Sequence, residues 1–199
     1  MAPLFAAIIL VVSGGALAAL TPAQVVTNIG NVATVSTRPV VFASYPRQLL
    51  PAPSRQSAEF MRYLTVVVDF ATIVNALRAD VPAMQATPPF DDVAAQPIVD
   101  ALDNFVQIHQ ALLATVIGKH SIFSQFGVTA PITAIPRSHE AVIDSFAFAM
   151  IDLIPTRSSD VKNDKNQLDT SVGNTISLYE QLCIPSLLYP ALLPICIAL

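Results

Sequence analysis

Tryptophan is missing from this chain of 199 residues, and cysteine, glycine and charged side chains are all scarce. With ten basic and fourteen acidic residues the formal net charge is −4, which argues against nucleic acid as a partner because phosphate binding needs a basic excess. None of the six glycines belongs to a phosphate-binding loop or a G-x-S-x-G nucleophile elbow, and no H-E-x-x-H or calcium-loop pattern occurs. The sequence therefore predicts no enzyme, no cofactor and no metal site.

Hydrophobic residues make up 53% of the chain, and this excess begins at the N-terminus. Residues 1–18 carry no charged side chain, are apolar from 4 to 12, and end in Ala16-Leu17-Ala18. A small-x-small ending is typical of a signal-peptidase site. We expect residues 1–18 to be a signal peptide and the protein to be secreted, either extracellular or in the cell wall; an uncleaved N-terminal anchor is the alternative. Residues 19–199 lie in the size range of one domain.

Apolar residues recur at spacings of three and four through most of the remaining chain, which is the period of α-helices with one buried face. The pattern predicts an all-α, single-domain bundle of about five helices. Their expected ranges are 20–37, 60–84, 98–126, 136–155 and 158–182. No β-hairpin signal is evident, and residues 185–199 are expected to form an apolar tail.

The stretch 98–126 carries the strongest of these patterns. Asp91 and Asp92 precede it and can accept hydrogen bonds from the free N–H groups of a first turn, and Gly127 follows it, where a helix often ends. A second, partial stripe widens its apolar face beyond what one partner helix needs. Because the stretch has no cysteine and no acidic residue after Asp103, it indicates packing or an apolar ligand rather than catalysis.

The segment 38–62 interrupts the helical pattern. It holds four prolines and four of the ten basic residues, against one acidic residue, Glu59. The prolines exclude a continuous helix through its first half. We interpret 38–62 as an anomalous, Pro- and Arg-rich segment that begins with a loop or a partly ordered insertion over 38–55.

Cys183 and Cys196 are the only cysteines. In a secreted chain an even pair predicts a disulfide, here one that staples the C-terminal tail; two free buried thiols are the alternative. Two cysteines alone cannot form a structural zinc site, and no histidine lies near them in sequence. His109 and His120 lie about three turns apart on one predicted helix, so we expect each at the rim of the bundle.

Large apolar side chains from three of the predicted helices can face one another at the centre of the bundle. Phenylalanine and methionine are adaptable liners of such apolar spaces. The predicted lining consists of Val67, Phe70, Val74, Phe105, Leu112, Val116, Phe123, Phe146 and Met150. The pattern alone favours solid packing of these side chains, and a ligand cavity between them is the alternative.

Five segments spread along the chain carry a further signal: LTPAQVV at 20–26, MQATPPF at 84–90, QIHQALL at 107–113, DSFA at 144–147 and LYEQLCIP at 178–185. Together they resemble the fungal hydrophobic surface-binding protein family, also called cell wall galactomannoproteins. The resemblance covers 20–37 and 64–199. Its departure over 38–63 indicates an insertion, for which translated intron sequence is a candidate origin. It implies a secreted fungal bundle of about five helices, whose C-terminal cysteine pair corresponds to Cys183 and Cys196.

Members of that family adsorb to hydrophobic surfaces, some recruit a lytic enzyme there, and some enclose a fatty acid between helices. The resemblance thus implies a non-enzymatic protein whose partners are hydrophobic surfaces or lipids, with a secreted lytic enzyme or cell-wall polysaccharide as further partners. We expect a secreted protein that binds hydrophobic surfaces and a fatty acid in an apolar cavity. The alternative is a structural cell-wall mannoprotein with a solid core.

Overall fold

Helix α1 (Pro22–Ser36) begins where the sequence predicts, because Thr21 and Gln24 cap it reciprocally. The Thr21 hydroxyl accepts a hydrogen bond from the Gln24 backbone N–H at 3.2 Å, and the Gln24 side chain accepts one from the Thr21 N–H at 2.8 Å. Pro22 stands in the first turn, where no N–H is needed. The computed structural model describes residues 18–37, 55–127 and 129–198. Most of the predicted signal peptide lies outside these residues.

Five further helices follow: α2 (Arg55–Gln85), α3 (Asp92–Gly118), α4 (His120–Gln125), α5 (Thr129–Leu153) and α6 (Ser158–Tyr179), with a 3-10 turn at Pro155–Arg157. The predicted all-α bundle is confirmed, as is the disulfide between Cys183 and Cys196. In the described part of the chain, no helix is both long and apolar enough to cross a membrane.

The structure corrects four of the predicted elements. The long helix expected at 98–126 starts at Asp92, capped by Asp91, and breaks at Lys119, whose N–H turns back to the Val116 carbonyl; Gly118 before it is a weak helix former. Helix α5 begins at Thr129 rather than at 136. Helix α2 already begins at Arg55, so part of the presumed insertion is helical, while 38–54 lies outside the described residues.

The fourth correction concerns the C-terminal tail, which contains a small β-hairpin. Strands β1 (Leu182–Ile184) and β2 (Ile195–Ile197) pair antiparallel, with Cys183 opposite Cys196. Each strand is only three residues long and has proline close by, so period-two alternation is too short to be recognised in the sequence.

The helices pack in two groups that share one core. Helix α5 lies against α2 and α6, while α3 lies against α1 and α6, and the hairpin touches the bundle through α4. At the hairpin end the Tyr179 hydroxyl donates to the Val116 carbonyl at 2.6 Å, which ties α6 to α3 inside the core. Because α1 also lies against α2, the helices α1, α2, α5, α6 and α3 contact one another in a ring around the core.

Candidate functional site

An apolar cavity lies between α2, α3, α5 and α6. Its volume is about 20 Å³, which is room for one water molecule. Three of the predicted lining residues border it, namely Phe105, Phe146 and Met150. The other lining residues are Leu77, Leu102, Ile143, Ala147, Val161, Asp164, Lys165 and Leu168. The cavity wall is thus apolar except where α6 contributes two charged residues.

At the α6 edge of the cavity, acidic groups surround one lysine. The Lys165 ammonium nitrogen lies 2.7 Å from a carboxylate oxygen of Asp144 and 2.6 Å from one of Asp169. Asp164 is buried, and its carboxyl interacts with the carboxyl of Asp103 on α3. Burial, followed by the repulsion from Asp103, raises the pKa of Asp164 to about 7. This edge is therefore unfavourable for an additional anion.

Two histidines lie stacked inside the core. The rings of His109 on α3 and His139 on α5 are parallel to within 17°, with centroids 4.7 Å apart, and both side chains are fully buried. Phe70 packs edge-on against both rings, and the Phe105 ring lies 5.4 Å from that of His109. Phe105 lines the cavity and neither histidine does, so the contact between the cavity wall and the histidine pair runs through the Phe105 ring.

The histidine pair is under-satisfied in hydrogen bonds. His109 Nδ1 meets the Ser36 hydroxyl at 3.1 Å, but within the described part of the chain His109 Nε2 and both ring nitrogens of His139 have no hydrogen-bond partner. Burial lowers the pKa of His139 to about 4, and burial together with the nearby His139 lowers the pKa of His109 well below its usual value. Both rings are neutral at pH 7.

These positions overturn the expectation that His109 lies at the rim of the bundle. Apolar stripes predict that a residue faces inward, but not which side chain meets it from the opposite helix. Here that side chain is the ring of His139, and a second aromatic ring on α2 covers both. Stacking and edge contacts with aromatic rings let the imidazoles remain in the core.

The remaining predicted lining residues lie away from the cavity. Phe70 covers the histidine pair, Val74 is buried in the core, and Val67 is only half-buried. Leu112, Val116 and Phe123 are buried farther along α3 and α4, where the Phe123 ring lies 6.3 Å from that of Tyr179. Those three positions lie towards the hairpin end of the bundle. Helical periodicity finds inward positions but does not locate them along the core.

His120 has an environment that the sequence did not indicate. Its Nε2 lies 3.2 Å from the Ser124 hydroxyl and 3.8 Å from the Cys183 sulfur, although 63 residues separate His120 from that cysteine. The ring stands edge-on to Tyr179, with centroids 4.9 Å apart, and burial lowers its pKa. No histidine lies near the cysteines in the sequence, but in the fold His120 lies against Cys183.

The C-terminal hairpin carries eight of the eleven exposed large apolar side chains of the described residues. Its exposed large apolar side chains are Leu182, Ile184, Leu187, Leu188, Leu192, Leu193, Ile195 and Ile197. No charged side chain occurs after Glu180. A group of exposed apolar side chains without charged neighbours in sequence is a candidate interaction surface.

The architecture is similar to that of a solved structure, AfMP4p of Aspergillus fumigatus in complex with palmitic acid. The two match with a TM-score of 0.60 at 11% sequence identity, over 79% of this chain and 94% of that one. No family model matches the sequence, and no curated protein matches it. The chain therefore has the helical fold seen in AfMP4p.

Proposed function

We propose that this chain is a secreted, non-enzymatic protein that binds a fatty acid in the apolar layer between α2, α3, α5 and α6. The observation that carries the proposal is an apolar cavity whose wall residue Phe105 also packs against a pair of buried imidazoles with unpartnered nitrogens. A fatty acid supplies what such a space lacks, namely a long apolar chain and one strong hydrogen-bonding group. A buried polar group without a partner costs about 1–3 kcal/mol, so a ligand that satisfies it recovers that cost.

The carboxylate head belongs at the histidine end. Lys165 is already neutralised by two aspartates, and the Asp103–Asp164 pair beside it repels an anion. His109 and His139 carry no charge of their own at pH 7 and can donate N–H hydrogen bonds. The acyl chain then extends past Phe105 into the cavity.

Binding requires the layer to widen, because the cavity holds only one water molecule. Met150 has a flexible, unbranched side chain at the cavity wall, and its rotation opens space at low cost. Each square ångström of acyl chain removed from water contributes about 25 cal/mol, which offsets the displacement of core side chains. The protein thus binds by exchanging packed side chains for ligand.

Two further lines support the proposal. AfMP4p has the same fold and was solved with palmitic acid. The segments that resemble hydrophobic surface-binding proteins include DSFA at 144–147, which contributes Phe146 and Ala147 to the cavity wall. Secretion rests on the signal-like residues 1–18 and on the disulfide, which is typical of oxidising compartments.

Native mass spectrometry with palmitic acid tests the proposal. Ala147→Phe fills the cavity from α5, and we expect it to lower palmitate binding at least tenfold relative to the wild type. Ala141→Phe makes the same change on an exposed position of α5 and is expected to bind like the wild type. Far-UV circular dichroism checks that both variants are folded. If the wild type takes up no palmitate, or if a folded Ala147→Phe binds equally well, the cavity proposal is wrong.

A second candidate function is adsorption to hydrophobic surfaces through the C-terminal hairpin. The favouring observation is that eight large apolar side chains of the hairpin are exposed on a segment without charged side chains. This function does not need a cavity and corresponds to the structural alternative with a solid core.

Adsorption to polystyrene or polyester beads tests the hairpin. The double variant Leu187→Lys, Leu193→Lys places charges on the exposed surface of the hairpin, and we expect it to lose most of its adsorption. The matched control is the double variant Val68→Lys, Phe148→Lys, which changes two exposed apolar residues on α2 and α5. It should leave adsorption unchanged. Equal losses in both double variants would show that adsorption is not a property of the hairpin.

A further inference from the structure

The ring of His120 and the two cysteines form a compact cluster at the junction of α4 with the hairpin. One donor atom from each of the three, the ring nitrogen and the two sulfurs, lie within 4.8 Å of one another. The Ser124 hydroxyl, one turn along α4, is 3.2 Å from His120 Nε2 and 3.8 Å from the Cys196 sulfur. Four potential donors thus surround one point.

The hairpin is held at this point by contacts other than the disulfide. The Gln125 amide donates to the Ser186 carbonyl at 2.9 Å, and the Ser186 N–H donates to the Gln125 side-chain oxygen at 2.8 Å. The strand pairing keeps Cys183 opposite Cys196, with their Cα atoms 4.1 Å apart. These contacts remain available when the sulfur–sulfur bond is broken.

Two thiolates and one imidazole are a donor set that suits Zn²⁺, which binds cysteine sulfur at about 2.3 Å and histidine nitrogen at about 2.0–2.1 Å. Donors at the corners of such a tetrahedron lie roughly 3.5–3.8 Å apart. The distance from His120 Nε2 to the Cys183 sulfur is already 3.8 Å. Reduction of the bond between the two sulfurs lets them separate to the spacing that Zn²⁺ requires.

We propose that reduction of the Cys183–Cys196 disulfide by a dithiol creates a Zn²⁺ site with His120, Cys183 and Cys196 as ligands and a water in the fourth position, beside the Ser124 hydroxyl. The dithiol delivers two electrons and two protons to the disulfide and itself becomes a disulfide. Zn²⁺ then replaces the two thiol protons, which are released to solvent, while His120 binds through its unprotonated Nε2. The site is independent of fatty-acid binding.

Cobalt absorption tests the site, because Co²⁺ bound tetrahedrally by thiolates gives visible bands. The protein is reduced with dithiothreitol, freed of reductant without oxygen, titrated with Co²⁺, and then back-titrated with Zn²⁺. We expect one equivalent of tetrahedral Co²⁺, displaced by Zn²⁺, in the reduced protein and none in the oxidised protein. His120→Ala should weaken the affinity by about tenfold or more, as losses even in the second coordination shell do.

Ser121→Ala, on the same helix, is the matched control and should retain the wild-type affinity. Circular dichroism follows helix content in every sample. The proposal is overturned if the reduced, folded wild type gives no tetrahedral bands, or if His120→Ala binds as tightly as the wild type, since the cysteines would then act alone. Loss of helix content on reduction also overturns it, because the site needs α4 and the hairpin in place.

Discussion

When the pH falls from 6.5 to 4, the free energy of unfolding of His139→Phe is expected to drop by about 3 kcal/mol less than that of the wild type. The folded wild type keeps His139 neutral down to its pKa of about 4, whereas the unfolded chain takes up a proton near 6.5. Below 6.5 the unfolded state therefore binds more protons, and stability falls as the pH falls until about 4. A shift of roughly 2.5 pKa units corresponds to about 3 kcal/mol.

The comparison must be made between variants because another group acts in the opposite direction. Asp164 has a raised pKa of about 7, so its folded form holds a proton that the unfolded chain releases above 3.8. Its contribution to stability is complete below 3.8 and is lost as the pH rises through 7. In the wild type the two trends partly cancel. Asp164→Asn removes the second trend and should expose the full acid sensitivity of the histidine pair.

Urea unfolding at pH 7, 5.5 and 4, followed by circular dichroism, measures these differences. Phe148→His serves as control, because an exposed histidine has nearly the same pKa in both states and should add no pH dependence. Equal pH slopes for the wild type and His139→Phe would mean that His139 takes up its proton at the same pH in the folded and the unfolded states.

Palmitate titration of His139→Phe tests the position of the carboxylate head. We expect the affinity for palmitate to fall about tenfold or more, because one charge-assisted hydrogen bond is lost.

How much of this arrangement the sequence predicts depends on how far apart the cooperating residues lie. Local signals succeed: the Thr21 cap and the three-four spacing place α1 and α6 close to their actual ranges, and Asp91 caps α3 although that helix starts earlier and ends sooner than the spacing predicts. The cysteine pair also succeeds, because an even count in a secreted chain leaves few choices. Each of these inferences depends on residues of a single helix or, for the cysteines, on the one bond that they can form.

The candidate sites fail to appear in the sequence because each is formed between elements. His109 meets His139 only through the packing of α3 near α5, and His120 meets Cys183 only because the hairpin folds back onto α4. Periodicity states that a residue is inward but gives neither its partner nor its depth. A histidine on an apolar stripe is therefore a signal worth testing against every other histidine and cysteine, even when the sequence separation is large.

Phe105→Ala is expected to lower the free energy of unfolding by about 3–5 kcal/mol. The Phe105 side chain is only 2% exposed, lines the cavity, and packs against the ring of His109. Truncation removes its apolar burial and leaves a larger void that the surrounding helices fill only in part. Phe148→Ala removes the same side chain from an exposed site on α5 and should change stability by no more than about 0.5 kcal/mol.

The same truncation distinguishes a solid core from a ligand layer. In a solid core the void is only a defect, and added palmitate leaves the loss unchanged. In a ligand layer the void gives the acyl chain room without displacement of a side chain, and it lies beside the unpartnered histidines. Phe105→Ala should therefore bind palmitate more tightly than the wild type. At a hundredfold excess over the dissociation constant, palmitate would restore about 2.7 kcal/mol. Thermal unfolding with and without palmitate measures this gain, and a loss that palmitate cannot reduce would favour the solid core and the hairpin as the functional surface.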